Sequence, residues 1–137
     1  MTWGCDPMKL IDTDILIDHF HGHQAALDYF AETLAAGELL AISVVTLTEL
    51  TGGMRPGEEP RTERLLSLFT VLDANKAIGL QAGAYLRQFR RSHNLELGDA
   101  LIAATAAQAN AEVVTRNAKH YPMADVRVIV PYDRGQA

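Results

Sequence analysis

The sequence predicts one α/β domain: a three-layer, doubly wound and mostly parallel sheet with helices on both faces. Short continuous apolar runs, such as residues 39–42, are typical of strands that are buried on both faces of a parallel sheet. Segments with helical spacing of apolar side chains, such as residues 24–35, alternate with those runs. The 137 residues suit a single core. We assign residues 8–132 to this domain, residues 1–7 to a flexible leader and residues 133–137 to a tail.

The elements follow in alternating order. Five apolar runs are predicted as strands: residues 8–11, 39–42, 71–72, 113–114 and 126–130. Six segments are predicted as helices: about 15–20, 24–35, a third through residue 50, 61–69, 74–91 and 99–109. Ser43 and Thr46 are candidate caps for the third helix and Asp73 is a candidate cap for the fifth. Residues 54–60, which contain two prolines and a glycine, indicate an exposed loop.

Composition restricts the class of protein. Apolar residues make up 48% of the chain and charged residues 21%, which is ordinary for a globular domain and argues against disorder. No apolar run approaches the roughly 20 residues that span a bilayer, so we expect a cytoplasmic protein with no membrane partner. Cys5 is the only cysteine, which excludes an intramolecular disulfide. The net charge of −5 requires any nucleic-acid contact to be local.

Acidic residues stand near three of the predicted junctions between strand and helix. Each has a structural explanation, because Asp12 and Asp99 suit helix N-caps and Thr46 with Glu49 matches a capping box. In a doubly wound fold, however, the strand ends open onto one crevice, so the three acids are expected to converge. Converging carboxylates raise one another's pKa unless a cation neutralises them. Asp12, Glu49 and Asp99 therefore predict a site for Mg²⁺, with Mn²⁺ as an alternative.

Other polar residues near these acids in the sequence are candidates for supporting roles. Asp14 is either a partner that orients a metal ligand or an ordinary acid at a helix start. Thr13 and Thr115 are candidates for steering a water or a phosphate, although threonine at a strand end is usually a cap. Basic residues supply candidate RNA contacts, although cations also favour a helix C-terminus on structural grounds alone: Arg87, Arg91 and Arg116.

Four segments together resemble the PIN-domain endoribonucleases, in particular the VapC-type toxins of toxin–antitoxin pairs. Leu10-Ile11-Asp12-Thr13 resembles the opening strand with its first metal-site acid, and Thr46 to Leu50 followed by Gly52-Gly53 resembles the helix with the second. Leu97-Gly98-Asp99-Ala100 begins the segment similar to the third-acid motif, which is the most specific of the four. Thr115-Arg116-Asn117 with His120-Tyr121 resembles the last site motif.

The resemblance implies cleavage of single-stranded RNA, a homodimer, and inhibition by a cognate VapB-like antitoxin. It also implies catalytic roles for Asp12, Glu49, Asp99 and Asn117. The sequence departs from the family where members often carry Asp, because Asn117 and His120 occupy those places. One firmly held ion, with a second arriving with substrate, is the arrangement we expect. His120 is a candidate phosphate contact or a partly buried turn residue.

Two alternative functions remain open from the sequence. Asp12-Thr13-Asp14 imitates the D-x-D of aspartyl-phosphate phosphatases, in which one Asp is the nucleophile. That chemistry leaves Glu49 without a role and calls for an acidic pair that Gly98-Asp99-Ala100 does not supply. The other alternative is a non-catalytic, partner-binding subunit on the same fold, whose acids cap helices or bind a partner's arginine.

Overall fold

A computed structural model describes residues 7–133. Within them, the strands are β1 (Lys9–Ile11), β2 (Leu40–Ser43), β3 (Thr70–Leu72), β4 (Glu112–Val114) and β5 (Arg127–Ile129). The α-helices are α1 (Thr13–Phe20), α2 (Gln24–Ala35), α3 (Val44–Gly52), α4 (Glu59–Leu66), α5 (Lys76–His93) and α6 (Leu97–Ala109), and a short 3-10 helix spans Ala118–His120. The predicted leader and tail lie outside the described residues except for Pro7 and Asp133.

The five strands form one sheet in the order β3-β2-β1-β4-β5, and every neighbouring pair is parallel. From β1 the chain winds outward through β2 and β3, and it then crosses to the other side for β4 and β5. The strand order therefore reverses between β1 and β4. Ligands of open α/β sheets bind beyond the carboxyl ends of the strands at such a reversal, so a ligand site is expected at the residues that follow β1 and β4.

Alternating strand residues supply two cores, one on each face of the sheet. Leu10, Ala41 and Val113 face the core that contains α5 and the alanine-rich α6. Their neighbours Ile11, Ile42 and Val114 face the core built with α1 to α4. All six side chains have 0% exposure, which is why the strands read as continuous apolar runs. The predicted three-layer, doubly wound class is confirmed.

A side-chain cap begins three of the six α-helices in residues 7–133, namely α1, α3 and α5. The Ser43 hydroxyl accepts hydrogen bonds from the backbone N–H groups of Val45 and Thr46 at the start of α3. Asn75 caps α5 in the same way by accepting from the Ile78 N–H. Asn94 and Asn110 are the C-caps that follow α5 and α6, and both have a φ of 52°, a left-handed conformation that asparagine tolerates better than most residues.

Several local predictions were wrong. Thr46 lies inside α3 and does not begin it, so the capping box with Glu49 does not form. Asp73 does not cap α5, because the helix starts three residues later. Helix α4 begins at Glu59, within the predicted loop, because Pro60 suits a first helical turn. No helix of residues 7–133 combines the length and the apolar character needed to cross a membrane.

Candidate functional site

The ends of β1 and β4 are joined directly. The Asp12 backbone N–H donates to the Val114 carbonyl at 2.9 Å, which continues the ladder one residue beyond β1. On the next strand the Thr115 N–H donates to the Ile129 carbonyl at 3.0 Å. Both residues are thereby held at the same edge of the sheet, which is the point where the strand order reverses. Their side chains are buried, at 8% exposure for Asp12 and 0% for Thr115.

Asp12 is held by three donors. It is the N-cap of α1, where its Oδ1 accepts the Thr13 backbone N–H at 2.7 Å, so the predicted capping role is confirmed. Its Oδ2 accepts two hydroxyl groups, from Thr115 at 2.9 Å and from Tyr121 at 2.8 Å. Hydrogen bonds to a charged acceptor are among the stronger ones in proteins. Asp12 is therefore more than a helix cap, because its Oδ2 accepts hydrogen bonds from residues outside α1.

Asp14, in the first turn of α1, points to the same edge. Its Oδ2 accepts from the Arg116 backbone N–H at 3.0 Å and from Asn117 Nδ2 at 3.2 Å. Its Oδ1 is buried and has no hydrogen-bond donor among the described residues. Burial raises the pKa of Asp14, and the charge of Asp12 raises it further. A buried carboxylate oxygen without a donor is costly, and a cation is one group that would relieve the cost.

Glu49 projects from α3 and connects α1 with α6. The Thr13 hydroxyl lies 2.5 Å from Glu49 Oε1 and 3.1 Å from the Thr46 hydroxyl, and its single proton favours the shorter, charge-assisted contact. On the other side, a Cβ built on Gly98 would lie 3.8 Å from Glu49 Oε2. The exposed Glu49 carboxylate is therefore placed beside the first turn of α6, one residue before Asp99.

Asp99 lies in the first turn of α6, where Glu96 is the N-cap, so the predicted capping role for Asp99 is wrong. Burial raises the pKa of its carboxyl group, His120 partly offsets the rise, and the charges of Asp12 and Glu96 add to it. His120 Nδ1 lies 3.9 Å from Asp99 Oδ2, and the two side chains are 40% and 20% exposed. His120 thus faces the third acid.

The four acids share a region, but they do not form a ready-made metal cage. No three His, Cys, Asp or Glu side chains in residues 7–133 are grouped closely enough to hold an ion as they stand. The charge of Asp12 acts on both Asp14 and Asp99 and raises the pKa of each. Glu49 is connected to α1 by its hydrogen bond with the Thr13 hydroxyl. The oxygen donors, the raised pKa values and the donorless Asp14 oxygen fit a hard divalent cation. We call these residues, Asp12, Asp14, Glu49 and Asp99, the acidic site.

A cleft of about 410 Å³ gives access to one member of this site. It lies between α1, α3 and α4, and Glu49 is part of its wall. Ile17, Phe20 and Leu50 supply apolar lining, and Ile17 remains 42% exposed. A volume of this size is within the range of small-ligand sites. The acidic site is therefore open to solvent on the Glu49 side.

The predicted RNA-contacting arginines are placed differently from one another. Arg116 Nε lies 2.8 Å from Asp18 Oδ2, so its guanidinium group turns toward α1. Arg87 and Arg91 are exposed on α5, and no ion pair or hydrogen bond among the described residues connects either of them to the acidic site. Asn117 contacts Asp14, while Thr115 contacts both Asp12 and Asp14. The strand-end residues meet at one edge, whereas the basic helix tail does not join them.

Two side chains of this region, Asp18 and Tyr132, were missed from the sequence, and Tyr121 was named there only as part of the last site motif, with no contact assigned to it. Tyr121 contacts Asp12, and Tyr132 donates its hydroxyl to Asp18 Oδ2 at 2.8 Å. Asp18 itself is buried at 2% exposure on α1. The sequence could have indicated that Asp18 has polar partners, because an aspartate on the apolar face of a helix is buried and needs them. The partners could not be named, since they lie roughly a hundred residues away.

Comparison with known proteins identifies the family. Residues 9–126 match the family described as PIN domain, which covers most of the chain. The chain belongs to the PIN-domain family. Ribonuclease VapC10 of Mycobacterium tuberculosis is 46% identical to this PIN-domain chain over 117 residues, covering 85% of the chain and 87% of that protein. Ribonuclease VapC19 of the same organism is 38% identical over 117 residues, covering 85% of the chain and 94% of that protein.

A solved structure agrees with the sequence relatives. A chain of a toxin–antitoxin complex from Klebsiella pneumoniae superimposes on this PIN domain with a TM-score of 0.72 and 34% identity. The match covers 91% of the chain and 98% of its counterpart. The resemblance drawn from four short segments is therefore confirmed over nearly the whole domain.

Proposed function

We propose that this PIN domain is a metal-dependent endoribonuclease toxin that hydrolyses phosphodiester bonds in single-stranded RNA. A cognate antitoxin holds it inactive. The observation that carries the proposal is the acidic site at the reversal of strand order, where Asp14 keeps a buried oxygen without a donor. The relatives named ribonucleases and the neighbour described as a toxin–antitoxin complex support the choice of substrate and partner.

Asp12, Glu49 and Asp99 are the residues that would hold Mg²⁺ or Mn²⁺, with Asp14 and Asn117 beside them. Such an ion lowers the pKa of water and offsets charge on the phosphate oxygens. Neighbouring hydroxyl groups fix the orientation of two of these carboxylates. The Thr13 hydroxyl donates to Glu49, and the Thr115 hydroxyl donates to Asp12. Preorganised groups of this kind pay no reorganisation cost during the reaction, which is a major source of catalytic power.

Contacts with RNA are local, because the chain carries a net charge of −5. His120 lies at the partly exposed edge of the site, beside Asp99, and would contact a phosphate group of bound RNA. Lys119 precedes it and is exposed. Arg116 supports the acidic site and not the RNA contacts, because its backbone N–H donates to Asp14 and its side chain is paired with Asp18. Homodimer formation and a cytoplasmic location stay predictions.

The test compares induced expression of the wild type with Asp12→Ala in a bacterial host, followed by mapping of RNA ends. Attack of water on phosphorus with departure of the 3′ oxygen leaves 5′-phosphate and 3′-hydroxyl ends. We expect such ends and growth arrest with the wild type and with the exposed control Asp28→Ala, and neither with Asp12→Ala. Circular dichroism of the purified variants checks that they fold. Ends with 2′,3′-cyclic phosphate would contradict the proposed chemistry, and arrest by Asp12→Ala would contradict the assignment of the site.

A further inference from the structure

Tyr121 is a buried residue that directly contacts the acidic site from the opposite end of the chain. It follows the 3-10 helix, is 4% exposed and belongs to the core that α5 and α6 form with the sheet. Its hydroxyl donates to Asp12 Oδ2 at 2.8 Å, across 109 residues of sequence. The ring of Tyr121 therefore packs in the core, while its hydroxyl makes a hydrogen bond that packing does not require.

The two oxygens of Asp12 are occupied unequally. A carboxylate oxygen has about two acceptor positions. Oδ2 receives the hydroxyls of Thr115 and Tyr121, so both of its positions are used. Oδ1 receives one donor among the described residues, the Thr13 backbone N–H, and keeps one position free. The arrangement thus distinguishes the two oxygens and leaves Oδ1 available.

Of the two hydroxyls that donate to Asp12 Oδ2, only that of Tyr121 has a single carboxylate acceptor among the described residues. The Thr115 hydroxyl has one proton and lies 2.9 Å from Asp12 Oδ2 and 3.3 Å from Asp14 Oδ2, so two carboxylates compete for it. For the Tyr121 hydroxyl, the acceptor found in residues 7–133 is Asp12 alone. A tyrosine hydroxyl has one proton to donate, and the Asp12 carboxylate receives it.

We propose that Tyr121 is a positioning residue that holds the Asp12 carboxylate in one orientation and thereby presents Oδ1 to a divalent cation. This inference rests on the proposed function and adds a residue to it. Groups that orient a metal ligand typically change metal affinity or activity about 10- to 100-fold when they are removed. The proposed role depends on the hydroxyl of Tyr121 alone, because the ring would pack equally well as phenylalanine.

Tyr121→Phe removes that hydroxyl and keeps the ring. Binding of Mn²⁺ is measured by electron paramagnetic resonance of the free ion, and RNA cleavage is measured at fixed Mn²⁺. We expect about 10-fold weaker Mn²⁺ binding and a kcat lowered by a similar factor, with KM for RNA changed less than about twofold. If Tyr121 served only packing, Tyr121→Phe would alter the melting temperature and leave Mn²⁺ affinity and kcat unchanged.

Tyr85 provides a matched control in the same core. Its hydroxyl donates to Asp125 Oδ2, also at 2.8 Å, and the residue is 3% exposed. Tyr85→Phe makes the same chemical deletion away from the acidic site, so we expect Mn²⁺ affinity to remain at the wild-type value. The inference is overturned if Tyr121→Phe binds Mn²⁺ as the wild type does, or if Tyr85→Phe weakens binding equally.

A second measurement does not depend on the variant folding. In wild-type chain labelled with 3-fluorotyrosine, Mg²⁺ should shift the fluorine resonance of Tyr121 and leave that of Tyr85 in place. An unmoved Tyr121 resonance on Mg²⁺ binding would also overturn the inference. A wild-type chain that neither binds Mn²⁺ nor cleaves RNA defeats the proposed function and this inference together. Normal binding and cleavage by Tyr121→Phe defeats the positioning role alone.

Discussion

Asp99 illustrates how an ionised group can oppose folding at a functional position. Its pKa is raised by burial and by the charges of Asp12 and Glu96, with His120 offsetting part of the effect. A carboxyl whose pKa is raised in the folded state favours folding when it is protonated. Above the folded-state pKa it lowers stability. That penalty is relieved as the pH falls through the folded-state pKa toward the ordinary value of 3.8.

Asp99→Asn should therefore raise the melting temperature by a few degrees at pH 7 in the presence of a chelator, because the amide carries no charge. The difference from wild type should shrink as the pH is lowered toward 4. Saturating Mn²⁺ should reverse the order at pH 7, since only the wild type would keep the full ligand set. Differential scanning calorimetry measures all three conditions, with the exposed Asp73→Asn as control. A constant difference at all pH values would contradict this account.

At the scale of elements, Asp18 connects three parts of the fold. It lies on α1, pairs with Arg116 in the loop after β4, and accepts the hydroxyl of Tyr132 beyond β5. The side chain of Asp18 is 1% exposed and that of Arg116 is 26% exposed. Removing one partner of a buried ion pair leaves the other uncompensated, which costs more than the pair contributes. This cluster holds the Arg116 backbone N–H in place against Asp14.

Asp18→Ala should lower the free energy of unfolding by about 3 kcal/mol, the lower end of the range for breaking a buried pair. Tyr132→Phe should lower it by about 1.5 kcal/mol, because it removes one hydrogen bond to a charged acceptor. Urea denaturation measures both. A double-mutant cycle with Arg116→Ala isolates the coupling of Asp18 to Arg116. Additive effects in that cycle would show that the two charges do not stabilise each other.

For the whole molecule, the cleft beside Glu49 is where we expect the antitoxin to bind. Its wall combines apolar Ile17, Phe20 and Leu50 with the carboxylates of Glu49 and Glu58, and His21 and Arg55 also line it. That combination suits a partner segment that carries apolar side chains next to a basic one. A partner bound there would cover Glu49 and so block the acidic site directly.

Ile17→Glu should weaken antitoxin binding by about 10-fold or more while leaving RNA cleavage unchanged, because it places a charge in the apolar part of the contact. Leu34→Glu on α2 is the matched control, since Ile17 and Leu34 are both 42% exposed. Calorimetric titration with purified antitoxin gives both affinities. Equal losses in the two variants would place the antitoxin elsewhere.

The sequence by itself determined the order of strands and helices, the two-sided burial of the central strands β1, β2 and β4, and the position of Asp12 and Asp99 at element junctions. These features depend on local periodicity and on capping or turn residues within a few positions. Local signals also misled, because Thr46 with Glu49 imitates a capping box that Ser43 makes unnecessary. Ser43 and Thr46 are both residue types that cap helices, and the structure shows that Ser43 begins the helix.

The tertiary structure alone decided how the acids are held. Tyr121 reaches Asp12, and Arg116 turns toward Asp18, because β1 and β4 lie side by side although about a hundred residues separate them. The donorless oxygen of Asp14 is equally invisible in the sequence, since it depends on which donors the neighbouring loop directs to each oxygen. Strand order and register are long-range properties, so the groups that orient a site emerge only when the sheet is assembled.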